Sequence, residues 1–178
     1  AYAIWLSEVI LQQTRIAQGM AYWYRFIQQW PTVYDLANAS EDEILKAWQG
    51  LGYYSRARNL HKAAQQVVDR KGFPKTSKEL KELKGVGEYT AAAIASFAFD
   101  EEVAVVDGNV YRVLARFKGI DTPIDTTSGK KEFQELAQSL LPTQNSARYN
   151  QAIMDFGAIQ CTPTSPHCAV CPLCESCV

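Results

Sequence analysis

The chain has 178 residues, of which 47% are apolar, 21% charged and 11% aromatic, a composition that excludes disorder and collagen-like order. That length fits one domain or two small lobes and excludes a large multidomain machine. With 18 Lys and Arg against 19 Asp and Glu the net charge is −1, so any contact with nucleic acid must be local rather than the work of a global basic field.

The sequence opens at Ala1 without an initiator Met and runs straight into an amphipathic stretch, which reads as a fragment of a longer protein. No basic stretch followed by an apolar run marks a signal peptide. Between Ala1 and Phe99 the apolar spacing is helical, broken at Trp30-Pro31, Asn38 to Asp42, Gly50 to Gly52, Gly72 to Thr76 and Lys84 to Gly87. Short helices joined by short loops are predicted. Ser40 with Glu43, and Thr76 with Glu79, have capping-box spacing ahead of apolar runs and predict helix starts. The apolar stretch Ala91 to Phe99, interrupted by Ser96, falls far short of the roughly 20 residues that cross a bilayer, so no membrane partner is expected. Val103 to Val106 is the only β-branched cluster and is too short to build a sheet, so the expected fold class is all-α. After the acidic break Asp100 to Glu102, helices are predicted over Val110 to Phe117, Lys130 to Leu141 and Ala147 to Ile159, with a loop from Gly119 to Gly129. The expected domains are 1–103 and 104–178, the second ending in a tail rich in Cys and Pro that something other than a core must organise.

All five cysteines lie within that tail, an odd number that points to a metal site rather than a disulfide framework. Cys161, Cys168, Cys171 and Cys177 give the spacing C-x6-C-x2-C-x5-C, with Cys174 between the last two. Four thiolates this close suit a structural zinc or a [4Fe-4S] cluster. The run Cys168, Cys171, Cys174, Cys177 also matches a ferredoxin-like repeat, so spacing does not choose the four ligands. Either metal would be needed for this lobe to fold.

Leu83 to Ala91 places Gly85 and Gly87 two residues apart between helical runs, where a tight turn lets backbone N–H groups at a helix start approach a phosphate. A plain helix–helix turn explains the same pattern. Lys84 adjoins it, and a carboxylate in a tight loop follows at Asp107-Gly108-Asn109. Cleaving a glycosidic bond needs a proton donor for the leaving group and a carboxylate near the developing cation. Glu8, set among large apolar residues that would raise its pKa, and Asp107 are the candidates. Their bland alternatives are an exposed helix residue and an N-cap for the helix at Val110. His61 and His167 show no paired partner.

Six ordered segments together resemble one family closely, the helix-hairpin-helix DNA glycosylases with an iron-sulfur cluster and, within it, the MutY-type adenine glycosylases. They are Trp5 to Thr14, Gly50 to Leu60, the hairpin Leu83 to Ala91, Val106 to Val110, Asn150 to Gly157 and the cysteine spacing. The resemblance implies a six-helix barrel domain with a smaller iron-sulfur domain. It implies excision of adenine mispaired with 8-oxoguanine or guanine in double-stranded DNA, after the adenine is flipped out. Glu8 matches the acid that protonates the adenine, and Asp107 the carboxylate that stabilises the sugar cation, with Tyr89 and Asn109 assisting. Gln151 and Leu11 match contacts to the flipped base. Gln13 and Tyr53, flanked by Thr14 and Gly52, match side chains that wedge into the DNA stack. Gly85, Val86 and Gly87 match the hairpin that holds phosphates. The family pattern assigns Cys161, Cys168, Cys171 and Cys177 to a [4Fe-4S] cluster and leaves Cys174 spare.

Endonuclease III-like relatives carry a Lys where this chain has Tyr89, and only an amine forms the Schiff base that leads to strand cleavage, so a monofunctional glycosylase is expected. Thymine-mismatch glycosylases also carry Tyr there. A thymine or uracil mismatch glycosylase is therefore the alternative enzyme, and a non-catalytic iron-sulfur DNA-binding module the alternative of another class. Family members have about one more helix before Ala1 and a C-terminal domain that reads 8-oxoguanine, and neither is present. The loop Thr162 to His167, basic in many relatives, has no Lys or Arg here. The expected state is a monomer, cytoplasmic and nucleoid-associated in a bacterium, or nuclear or mitochondrial in a eukaryote.

Overall fold

A computed structural model describes all residues, 1–178. It is all-α, as expected, and divides into two compact units, Ala1–Phe99 and Asp100–Val178. No helix is long and apolar enough to cross a membrane.

The first unit holds α1 (Tyr2–Ile10), α2 (Ile16–Gln29), α3 (Val33–Asn38), α4 (Glu41–Trp48), α5 (Ser55–Asp69), α6 (Ser77–Leu80) and α7 (Glu88–Phe99). Ser40 starts α4 with a reciprocal capping box: its hydroxyl accepts from the Glu43 N–H at 3.3 Å, and its own N–H donates to the Glu43 carboxylate at 2.9 Å. The Ser40 hydroxyl also donates to that carboxylate at 2.7 Å, and this bond, then the one from the Ser40 N–H, holds the Glu43 carboxyl below its ordinary pKa. Thr76 accepts from the Glu79 N–H in the same way, yet α6 is a single turn. A further box, Thr32 with Asp35, starts α3.

α1 lies at the centre of this unit, packed against α2, α5 and α7 through buried Trp5, Leu6, Val9 and Ile10. α7 is buried over Thr90 to Ser96, where its alanines let neighbouring helices come close. Phe26 meets Trp48 edge-on at 5.8 Å, closing the packing of α2 on α4. His61 has partners that the sequence did not reveal. It is buried on α5, with Nε2 at 3.4 Å from the Ala37 carbonyl and 3.3 Å from the Gln65 side-chain amide.

The second unit holds α8 (Gly108–Lys118), α9 (Thr127–Leu140) and α10 (Ser146–Ile159), with single 3-10 turns at Cys168–Val170 and Cys174–Ser176. α9 starts three residues earlier than the periodicity predicts, because the Thr126 side chain accepts from the Gly129 N–H at 3.0 Å and caps the helix there. The core is Ala104, Val106, Val110, Leu114, Phe133 and Ala137, with α8 packed on both α9 and α10.

The segment Glu102 to Val106 carries no strand partner, and side-chain amides supply its hydrogen bonds instead. Gln138 accepts from the Ala104 N–H and donates to the Glu102 carbonyl, both at 2.9 Å. Gln134 donates to the Ala104 carbonyl at 3.1 Å. Asn150, buried on α10, accepts from the Val105 N–H at 3.1 Å and donates to the Val103 carbonyl at 2.9 Å. This surrogate ladder delivers the chain to Asp107. Replacing Asn150 by Leu leaves the buried Val105 N–H and the half-buried Val103 carbonyl without these bonds, and a buried orphan costs about 1–3 kcal/mol. Urea unfolding of Asn150→Leu is expected to show a loss of at least about 2 kcal/mol; a loss below about 0.5 kcal/mol would mean that the ladder bears no weight.

Candidate nucleic-acid interface and catalytic residues

In the first unit, α1 holds Glu8 half-buried between a buried apolar face and solvent. The helix ends at Leu11, half-buried at its C-cap, whose N–H donates to the Ser7 carbonyl at 2.9 Å. Gln12 then donates from its side chain to the Thr90 hydroxyl at 3.4 Å, and the Thr14 N–H closes the turn on the Leu11 carbonyl at 3.2 Å. Between them Gln13 takes a left-handed φ of 54°. A second turn, at Gly52 (φ 71°) and Tyr53 (φ 45°), leads into α5. A left-handed φ is uncommon for a residue with a Cβ, and such strain gathers at functional sites.

Gln13 and Tyr53 line one open groove of about 490 Å³ with Gln12, Ser55, Arg56 and Tyr89. Three residues singled out from the sequence, Gln13, Tyr53 and Tyr89, thus share a surface, and Gln12, Ser55 and Arg56 join them. Arg56 gave no signal in the sequence because an arginine in a helical run reads as solvated. Burial pulls its guanidinium below the ordinary pKa, with Tyr53 acting in the opposite direction.

In the hairpin only Gly85 is required by the turn. Its φ is 76°, and a Cβ there would lie 2.7 Å from Cβ of Asn59. Gly87 lies outside the left-handed region and a Cβ there would meet nothing within 4 Å, which corrects the expectation that both glycines serve the turn. Gly87 instead stands directly before α7, where its carbonyl accepts from the Ala91 N–H at 2.9 Å. Val86 buries its side chain, so it can offer a phosphate only its backbone. The Lys84 N–H donates to the Gln66 side chain at 2.7 Å and fastens the hairpin to α5.

In the second unit Asp107 is the N-cap of α8: Oδ1 accepts from the Val110 N–H at 2.8 Å, and Oδ2 accepts from the Asn109 side chain at 2.9 Å. The cap alternative is therefore correct, and the carboxylate is still half-exposed. Asn109 accepts in turn from Arg112 Nη2 at 2.7 Å. The same guanidinium donates to the Gly157 carbonyl at 2.6 Å and the Cys161 carbonyl at 2.8 Å. Gln151 is exposed on α10 and donates to Asp155 at 2.9 Å.

Cys161, Cys168, Cys171 and Cys177 line one cavity of about 50 Å³, and Cys174 does not. No three His, Cys, Asp or Glu side chains are close enough to hold a single metal ion. Arg116 lies beside the Cys161 sulfur at 3.4 Å and donates to the carbonyls of Thr162 at 2.7 Å and Pro163 at 3.0 Å, fastening the loop that lacks basic residues of its own.

The family model described as HhH-GPD superfamily base excision DNA repair protein matches residues 6–142. The chain is 47% identical over 180 residues to an adenine DNA glycosylase of Mus musculus, a match covering 99% of this chain and 35% of that protein. The chain thus spans about a third of the length of that relative. Among solved structures it is similar to a thermostable thymine-DNA glycosylase, with a TM-score of 0.90, 30% identity, and 99% of this chain and 82% of that one covered. An endonuclease III–DNA complex matches with a TM-score of 0.83 at 25% identity, covering 98% and 81%.

Gly157 touches the Asp107 turn: a Cβ there would lie 2.7 Å from Cβ of Asn109 and 3.0 Å from its carbonyl oxygen. Gly157→Ala is expected to displace Asn109, costing about 1–3 kcal/mol in urea unfolding. The side-chain amide resonance of Asn109 should shift with it; an unmoved resonance would show that the turn accommodates the methyl elsewhere.

Proposed function

Since the chain belongs to the HhH-GPD superfamily of base excision DNA repair proteins, we propose that it excises adenine opposite 8-oxoguanine or guanine in double-stranded DNA. The reading is of a monofunctional glycosylase that acts as a monomer. The observation that carries it is the groove lined by Gln13, Tyr53 and Tyr89, supported by the identity to adenine DNA glycosylases. Gln13 and Tyr53 wedge into the stack where the base leaves, a role that suits exposed planar groups on fixed turns. The hairpin Gly85 to Gly87, ahead of α7, takes backbone phosphates.

In this reading Glu8 supplies the proton that makes adenine a leaving group, and Asp107, held by Asn109, stabilises the sugar cation. Leu11 and Gln151 contact the flipped base, the latter by giving up its bond to Asp155. Tyr89 leaves position 89 without an amine, so hydrolysis ends at the abasic site with the strand intact. The similarity to a thymine-DNA glycosylase favours, as the second reading, thymine or uracil release from G·T and G·U pairs.

The cysteine set fits a [4Fe-4S] cluster. Four thiols border one cavity, and four cysteine thiolates are the ligand set such a cluster takes. Cys161, Cys168, Cys171 and Cys177 would hold it, and it would supply a cross-link for a tail that has no core of its own.

Single-turnover base release from A·8-oxoguanine, A·G, G·T and G·U duplexes, with alkali added to half of each sample, tests the reaction. Adenine release, strand breaks only after alkali, and a drop of about 100-fold or more in Glu8→Gln are expected. Thymine or uracil release moves the assignment to the second reading, and DNA binding with no base released by the native chain overturns both. For the cluster, iron and sulfide analysis should give four of each per chain in Cys174→Ser, as in the native protein, and a loss of iron and of the brown chromophore on changing Cys161, Cys168, Cys171 or Cys177 to Ser. One zinc per chain with no iron would refute it.

A further inference from the structure

We propose that Arg56 is a positioning residue that sets the turns carrying Gln13 and Tyr53 as one rigid unit; the inference rests on the reading of those two side chains as the DNA wedge. Nη1 donates to the carbonyls of Val9 at 3.3 Å, Ile10 at 3.3 Å and Gln12. Nη2 donates to the carbonyls of Leu51 at 3.1 Å and Gly52 at 3.5 Å. None of these acceptors is a carboxylate. They are carbonyls at the end of α1 and in the turn before α5, where the Gly52 carbonyl also accepts from the Trp48 Nε1–H at 2.9 Å, and a planar fork serves both backbones where a single point donor does not.

Two of the five matter most. The Gln12 carbonyl belongs to the peptide plane that joins Gln13, and the Gly52 carbonyl to the plane that joins Tyr53. The orientation of those planes sets φ at Gln13 and Tyr53, the left-handed non-glycine residues of the groove. One guanidinium therefore reaches both strained turns, some forty residues apart in sequence, and shares the Gly52 carbonyl with the Trp48 indole, on which its face also rests. Its face also lies 5.2 Å from the Trp48 ring and 5.6 Å from the Tyr53 ring. Trp48 is buried and fixed, whereas Tyr53 is 66% exposed, so the cation holds an otherwise free ring against a fixed one.

The test has two arms, run on the full chain with Arg56→Met, which keeps the stem, and Arg56→Lys, which keeps the charge. In the free protein, amide exchange over residues 11–14 and 51–56 is expected to accelerate together by about tenfold in Arg56→Met while the Ala91 to Ser96 amides stay unchanged. Arg56→Lys should fail to restore both turns. With an A·8-oxoguanine duplex carrying 2-aminopurine beside the adenine, the rise in fluorescence on unstacking should fall in both variants. Adding Arg56→Met to a Gln13→Ala, Tyr53→Ala background should lower it no further.

Unchanged exchange, acceleration of one turn alone, or full restoration by Arg56→Lys overturns the proposal. If Arg56→Met exchanges fast throughout and does not fold, Arg56→Lys decides by the same criteria. The exchange arm needs no DNA. A native chain that releases no base therefore sinks the glycosylase reading, while exchange alone still decides whether Arg56 couples the turns.

Discussion

Backbone groups lose their partners wherever a helix stops, and several of the residues of interest in this chain sit at such stops. Gln13 follows α1, Tyr53 precedes α5, the hairpin precedes α7 and Asp107 precedes α8. An orphaned buried N–H or C=O costs about 1–3 kcal/mol, so each turn needs a specific donor or acceptor to adopt one conformation. Long polar side chains reaching from nearby helices supply them. Arg56 serves the end of α1 and the turn at Gly52, Gln66 serves the hairpin, and Gln134, Gln138 and Asn150 serve the segment before Asp107. Arg112 and Arg116 do the same for the chain from Gly157 to Pro163. Core burial fixes the helices, and these clamps fix what lies between them.

That division explains what the sequence could show. Helical periodicity and local caps are read within a few residues, so the helices, the box at Ser40 and the cap at Asp107 were legible. Six motifs in order sufficed for the family, because each is contiguous. The clamps were not legible, since Asn150 and Gln138 find their partners 34 to 47 residues away and nothing in their own neighbourhoods marks them. Val103 to Val106 looked like a strand without a sheet for the same reason. Arg56 was hidden by its setting, a polar residue at the start of a helix whose acceptors lie in two other segments. Thr32 with Asp35 was missed on chemistry, because the short Asp takes the place expected for Glu.

Asp107 shows why a cap and a catalytic carboxylate need not compete. An N-cap aspartate uses its side chain to satisfy an amide that the helix leaves without a partner. The bond from Val110 fixes one oxygen and the bond from Asn109 fixes the other, so capping the helix also orients the group. Asn109 is fixed in turn by Arg112, which also holds the carbonyls of Gly157 and Cys161. The segment bearing the first cysteine and the turn bearing the carboxylate therefore share one guanidinium, and a change in the path of either is felt by the other.

A net charge of −1 gives the chain no general attraction for a polyanion, so in the proposed reading its grip falls on directional groups. The backbone amides of the hairpin at Gly85 to Gly87 are such groups. A wedge is another, but only if it is stiffer than the stack it enters. Extruding a base costs a few kcal/mol, and a loose loop would yield before the DNA did. Gln13 and Tyr53 are exposed and sit in conformations that a free chain avoids, which requires their surroundings to hold them. A cation at the floor of this groove could have faced a phosphate. Arg56 instead turns its charge inward onto five carbonyls, and the stiffness of the wedge is what that orientation provides.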